Sequence, residues 1–249
     1  MRKLVVALAC RNQGSRLYGK PLQNLDIENG VTILDHIIAC LSSFDCIDSI
    51  VLGISEGNAN LDFIDYAQVN SLDYIIGDQI DVLSRLIQCG EHSRATDIFR
   101  VTSESPFPYF EMIDTLWSDH CENENDATFI DNIIDGCNFE IIKLNALKES
   151  HDKGDIKHRS EMCTLFIREH EDDFQIQRLY PPEELNRKDL RFTVDYPEDL
   201  IVCRAIYEEF KENAPMIPLL AAVRFIDNNE FLKKLIAPFC EPGYSTMYL

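Results

Sequence analysis

Strand-like and helix-like segments alternate through the first hundred residues, and that alternation limits the chain to a small set of folds. Residues 4–9 are a short, continuous apolar run, the pattern of a strand buried on both faces. Residues 32–44 then place Ile33, Ile37, Ile38 and Leu41 at helical spacing, with Thr32 as the N-cap. Residues 49–54 read as a second strand, 59–70 as a helix and 73–77 as a third strand. Residues 79–93 read as a helix with Ile80, Leu83, Leu86 and Ile87 on one face, and 98–102 as a fourth strand. Strands joined by helical crossovers pair in parallel, so the expected fold is α/β and Rossmann-like: a mostly parallel central sheet flanked by helices.

The second half continues less regularly. Strands are expected at 127–130, 139–142, 175–179 and 190–194, and helices at 143–150, 158–170, 197–211 and 216–227. No low-complexity linker divides the halves. We therefore expect a single domain over 1–249, with a core at 3–210 and C-terminal helices and a tail at 211–249. The tail from Pro238 carries Pro, Gly and aromatic residues, and should pack on the surface or on a partner subunit.

Charge and cysteine content exclude several classes. The formal net charge is -20, and no basic face suited to nucleic acid is visible. Nine cysteines, an odd number without any C-x-x-C pair, read as reduced, mostly buried thiols in a cytoplasmic protein. The six histidines share no ligand spacing with them, which argues against zinc. The apolar stretch after Arg2 and Lys3 is too short for a leader, and no run is long enough for a membrane helix.

Against this acidic background the first 25 residues hold five Lys or Arg and no Asp or Glu. Three of those cations, Arg11, Arg16 and Lys20, lie in the loop that follows the first strand, where an open α/β sheet binds ligands. Such a loop can wrap a polyphosphate. It is not a P-loop: Gly14-x-x-x-x-Gly19-Lys20 is followed by Pro21, which has neither the hydroxyl for Mg2+ nor an N–H for a phosphate. The G-x-G-x-x-G dinucleotide fingerprint is missing too. Three further segments carry chemistry. Arg100-Val101-Thr102-Ser103-Glu104-Ser105-Pro106 brings a carboxylate to the end of a strand. Phe192-Thr193-Val194-Asp195-Tyr196-Pro197 does the same with Asp195. Two such carboxylates facing a cationic loop would suit a Mg2+-polyphosphate site. Gly77 to Leu86 runs from a strand end into a helix; Asp81 is either its N-cap or a ligand, and Arg85 either reaches a nucleotide or is surface charge.

These four segments, in this order, resemble the cytidylyltransferase family of bacterial surface-sugar synthesis. The likeness is to the spore-coat polysaccharide type, and more distantly to the CMP-Kdo and CMP-sialic-acid synthetases. The first loop is similar to A-R-x-x-S-x-R-L-P-G-K through Arg11, Arg16, Leu17, Gly19 and Lys20. Residues 77–86 are similar to G-x-x-D-V-L-x-R, residues 100–106 to R-x-T-x-D-x-P, and residues 192–200 to T-V-D-x-P-E-D-L. The resemblance spans about residues 3–210. It implies a nucleotide-diphospho-sugar transferase fold and attack of an acceptor oxygen on the α-phosphorus of CTP, with pyrophosphate as the leaving group and Mg2+ as cofactor. By motif position Arg11, Arg16 and Lys20 would neutralise the triphosphate. Ala9, Ser15, Gly77, Asp81 and Arg85 would complete the nucleotide site, and Glu104 and Asp195 would carry the metal. Glu161 and Thr164, in the counterpart of an R-E-H-V-T stretch, would face the acceptor with Arg159. Arg178 and Arg191 are further candidates for an acceptor's carboxylate or phosphate.

The chain departs from the family at Glu104, where Asp is usual, at Tyr18, where Pro is usual, and in Asn12-Gln13-Gly14-Ser15 and Ser160-Glu161-Met162-Cys163-Thr164. The implied partners are a nucleoside triphosphate, a small sugar-type acceptor and a second copy of the chain. Two other classes remain open: a glycosyltransferase of related fold, whose D-x-D metal signature is missing, and a non-catalytic nucleotide-binding homologue. Pyrophosphate release separates the first reading from both.

Overall fold

The computed structural model describes residues 2–14 and 16–247, apart from the side chains of 246 and 247. Its elements are β1 (Leu4–Cys10), a small hairpin of β2 (Asn24–Asp26) and β3 (Val31–Thr32), α1 (Ile33–Leu41), β4 (Ile47–Ser55), α2 (Leu61–Val69), β5 (Asp73–Gly77), α3 (Val82–His92), β6 (Asp97–Arg100), α4 (Ile113–Glu122), β7 (Ala127–Ile130), β8 (Glu140–Lys143), α5 (Leu144–Lys153), α6 (Leu165–Glu169), β9 (Ile176–Leu179), α7 (Pro197–Glu209), α8 (Leu219–Asp227) and α9 (Glu230–Met247). Seven strands form one sheet in the order β5-β4-β1-β6-β8-β7-β9. β8 runs antiparallel to both its neighbours, and the other pairings are parallel.

The sheet divides the core by strand alternation. Leu4, Val6, Leu8 and Cys10 of β1 face one apolar layer with α1 and α7, while Val5 and Ala7 face the other with α3 and α5. Helix starts follow local chemistry. Thr32 and Asp35 close a capping box on α1, and the Asp81 carboxylate accepts the Ser84 N–H at the start of α3. The chain runs β1, β4, β5 to one side, then returns to place β6 on the other side of β1. That reversal opens a crevice beyond the ends of β1 and β6.

Several expectations need correction. Residues 190–194 are not a strand; their backbone is tied in by a single bridge, Asp135 to Arg191, and by the Val194 N–H on the Glu104 carbonyl, while Leu190, Phe192 and Val194 pack into the core. The helix expected at 158–170 is a 3-10 turn (Ile156–Arg159) and the short α6. α4 was not anticipated, because only Ile113, Leu116 and His120 of its ten residues are buried. Ile80 lies ahead of α3 and is 74% exposed, so it is no part of the buried face. The tail is a helix, α9, that continues through Pro238 and Pro242. Proline removes a donor and so reads as a breaker, but here tertiary contacts hold the segment: Phe239 stacks on Tyr196 with ring centroids 4.0 Å apart, and the Phe239 carbonyl accepts from Arg191 Nη1 at 3.1 Å.

Candidate active site

A cleft of about 490 Å3 opens where β1 and β6 end. The loop after β1 forms one wall, and its shape is pinned by Asn12. The buried Asn12 donates its backbone N–H to Asn60 Oδ1 (2.7 Å) and its amide to Ala59 O (2.6 Å), while its own carbonyl accepts the Gly19 N–H (2.9 Å). Gly19 has φ 59°, a conformation that glycine adopts without strain, and this turns Lys20 back over the cleft.

Lys20 Nζ lies 2.5 Å from Asp195 Oδ1, and Arg16 Nη1 lies 3.6 Å from Asp195 Oδ2. Arg16 also sits over the Tyr196 ring, 4.9 Å from its centroid. Arg11 pairs with Glu161. Burial works against the charge on Asp195, but Lys20 outweighs it and holds the carboxyl below its usual range. Although no strand leads to it, Asp195 is set firmly. Its backbone N–H and that of Tyr196 donate to Asp199 Oδ2, both at 2.9 Å, where α7 begins. The Val194 N–H donates to the Glu104 carbonyl at 3.0 Å, which brings the two acidic segments side by side.

Glu104 lines the cleft four residues beyond β6. Burial pushes its carboxyl up, and Lys20 only partly offsets this while the charges of Asp195 and Glu161 add to it. Asp135 lines the same wall and is pushed up to about 6 by burial, against Arg191 and with Asp195, Asp199 and Glu104 as neighbours. Among the described residues no three carboxylate, His or Cys side chains converge to enclose a metal ion. Glu104 and Asp195 both line the cleft.

The other end of the cleft is a closed network. Glu140 binds Arg100 (2.7 Å), Arg168 (2.9 Å) and the Thr164 hydroxyl (2.9 Å). Burial opposes its charge, yet the two arginines bring its carboxyl down to about 2. Arg168 also pairs with Asp131 at 3.0 Å and lies 3.9 Å from the centroid of the Phe129 ring.

The residues picked out by motif thus separate. Ala9, Arg11, Arg16, Lys20, Arg85, Glu104, Glu161, Thr164 and Asp195 all line the cleft. Ser15 lies outside the described residues. Gly77 and Asp81 are not in the lining: Gly77 underlies the Arg85 stem, and Asp81 caps α3 while its other oxygen meets His151 Nε2 at 2.8 Å. Arg159 points elsewhere, donating to the His151 carbonyl at 3.2 Å. Arg178 is tied to Asp131 and Glu171, and Arg191 to three aspartates. Asp135, Asn138, Glu140 and Arg168 line the cleft without having been singled out, as does Asn12, which stood out only as a departure from the family pattern. A signal for Asp135 was present in Ile133-Ile134-Asp135-Gly136, an apolar pair that runs into an Asp-Gly turn.

The model of the cytidylyltransferase family matches residues 5–223. The chain belongs to this family. Among relatives, the spore coat polysaccharide biosynthesis protein SpsF of Bacillus subtilis is 27% identical over 215 residues, covering 85% of this chain and 89% of SpsF. A cytidylyltransferase from Leptospira borgpetersenii superposes with a TM-score of 0.82 at 18% identity, over 93% of this chain and 97% of that one. A CMP-Kdo synthetase solved with CTP superposes at 0.64 with 12% identity, over 84% and 99% of the two chains. As a cytidylyltransferase the chain is a nucleotidyltransferase enzyme. No helix among the described residues is long and apolar enough to cross a membrane.

Proposed function

We propose that this cytidylyltransferase transfers the CMP moiety of CTP to a sugar, sugar acid or sugar phosphate for cell-surface glycan synthesis, with Mg2+ as cofactor. The observation that carries this reading is the meeting, in one cleft, of the cationic loop with Asp195 and Glu104, groups more than eighty residues apart in sequence. An acceptor oxygen forms a bond to the α-phosphorus, the bond to the bridging oxygen breaks, and pyrophosphate leaves with that electron pair. Such a transfer asks for positioning and charge stabilisation more than for covalent help. Arg11, Arg16 and Lys20 would face the triphosphate oxygens and take up the charge that grows on the leaving pyrophosphate. Glu104 and Asp195 would hold Mg2+, which commonly binds through one or two carboxylates together with substrate phosphates. The two carboxylates fit this role, since both line the cleft and the charge of Asp195 adds to the cost of charging Glu104. When bound, the ion supplies neutralisation of the phosphate charge. Glu161 and Thr164 would face the acceptor. A homodimer in the cytoplasm is carried over with this reading.

The test is thermal melting with each of the four nucleoside triphosphates, with and without Mg2+, followed by pyrophosphate release with a panel of sugar-type acceptors. A nucleotide at 100 times its dissociation constant should stabilise by about 2.7 kcal/mol. Lys20→Ala and Asp195→Ala should each lower the rate about 100-fold. Near-normal turnover in Asp195→Ala would remove the metal assignment, and no shift with any nucleotide would overturn the reading.

A further inference from the structure

The family match ends at residue 223 and α9 lies wholly beyond it, yet the last turns of α9 reach the cleft. Pro238 and Pro242 have no N–H to close a helical turn, so this stretch is held less by its own backbone than by what it touches. Its contacts fall on segments that carry cleft residues. The Phe239 ring lies nearly parallel on Tyr196, at 18° and 4.0 Å between centroids, and Arg16 sits over the Tyr196 ring at 4.9 Å. The Phe239 carbonyl accepts from Arg191 Nη1 at 3.1 Å, and Nη2 of the same guanidinium donates to Asp195 Oδ2 at 2.8 Å. The Tyr244 hydroxyl donates to Asn132 Oδ1 at 3.0 Å. Gly243 faces Asp135 so closely that a Cβ there would stand 2.5 Å from Oδ2. Phe239 therefore stands behind both a cation of the first loop and the carboxylate that this cation pairs with. Phe239 and Tyr196 are each half-buried and belong to neither apolar layer of the core, so their stacking supports the cleft rather than the sheet.

We propose that Phe239 is a positioning residue for nucleotide binding: its ring holds Tyr196 against Arg16 and its carbonyl holds Arg191 against Asp195, so that the two charged groups are presented to the nucleotide together. The inference rests on the nucleotidyltransferase reading of the same cleft. The physical reason is conformational entropy. Arg16 is a long, exposed side chain, and a ring that fixes its guanidinium removes part of the ordering cost before a phosphate arrives. Asp195 needs the same support. Lys20 and Arg16 pair with it now, but both face the triphosphate in the proposed complex, and Arg191 is then the cation left to keep the carboxylate in its direction.

The test is titration calorimetry of the full chain with CTP in the presence of Mg2+, for wild type, Phe239→Ala and Phe239→Tyr, at a temperature where circular dichroism shows each protein folded. Phe239→Ala should weaken CTP binding about tenfold, the size of a lost aromatic stack and a loosened cation–π contact. Phe239→Tyr keeps the stacked ring and should restore binding to within about twofold of wild type. A folded Phe239→Ala protein that binds CTP as wild type does would show that α9 merely covers the surface, and overturns the proposal. A Phe239→Tyr protein as weak as Phe239→Ala overturns it too, because the ring is then not the cause. A wild type that does not bind CTP overturns the underlying reading, and the proposal with it. If Phe239→Ala does not fold, Gly243→Ala pushes α9 away from Asp135 with the ring intact. It should weaken CTP binding about threefold or more, and an unchanged affinity overturns the proposal.

Discussion

Arg85 and Arg191 are buried to the same depth, 1% and 2% exposed, and their surroundings are opposite. Around Arg191 stand Asp195 at 2.8 Å, Asp199 at 3.4 Å and Asp135 at 3.6 Å. Around Arg85 stand glycines, alanines and leucine, with two nitrogens left unpaired. The backbone near Arg191 is locked as well: the Phe192 N–H donates to the Asp135 carbonyl at 2.8 Å. The difference teaches where each arginine's energy lies. The charge of Arg191 is balanced inside the protein by three acids, although its Nε makes no hydrogen bond. Arg85 has no such acid, and two of its nitrogens stay without a hydrogen bond.

The comparison breaks most easily by deleting each charge. Arg191→Met leaves Asp135, Asp195 and Asp199 buried without a cation and should cost about 3–5 kcal/mol in urea unfolding. Arg85→Met removes a buried charge with no acid beside it and should leave stability unchanged or raise it by about 1 kcal/mol or more. Equal losses would end the distinction.

His36 sharpens it, because it too is buried without a counter-charge yet can shed its proton. Packed edge-on against Phe107 and Tyr207, it is held down to about 4 by burial. The unfolded chain takes up this proton near the ordinary value of about 6.5, and the folded chain only near 4. Stability should therefore fall as pH drops through that window, by an amount on the order of 3 kcal/mol. Urea unfolding at pH 7 and pH 4 should show this drop in wild type and a smaller one in His36→Gln. The same slope in both would refute the assignment.

A further test concerns the backbone that Arg191 depends on. Gly136 has φ 88°, and a Cβ there would stand 2.5 Å from the Thr193 backbone nitrogen. Gly136→Ala should cost roughly 2–3 kcal/mol and shift the segment that bears Asp135. A melting temperature equal to that of wild type would show that the contact between residues 135–136 and 191–193 is loose.

Legibility followed the range of the interactions. Thr32 as a cap, the strand at 4–9 and the crossover helices were visible because capping and periodicity act over a few residues. The cations of the first loop were visible because they stand together against an acidic chain. Asp81 carried two readings, and the structure shows it in the first of them, as the cap of α3. Asn12 was legible only as a departure, since its partners Ala59 and Asn60 lie almost fifty residues away. Glu140 and Arg168 gave no local signal, because an ion pair between a strand and a helix 28 residues on has no fixed spacing.

By itself the sequence determined the alternation of strand and helix, the place of the cleft and the charge of its first loop, because local geometry and composition decide those. Tertiary structure alone decided that residues 190–194 form a braced loop rather than a strand, that α9 runs through two prolines, and that Arg85 is interior rather than surface charge. Each of those outcomes depends on partners distant in the chain: backbone bonds to Asp135 and Glu104, the stacking of Phe239 on Tyr196, and the glycines of β4 and β5 beneath the Arg85 stem.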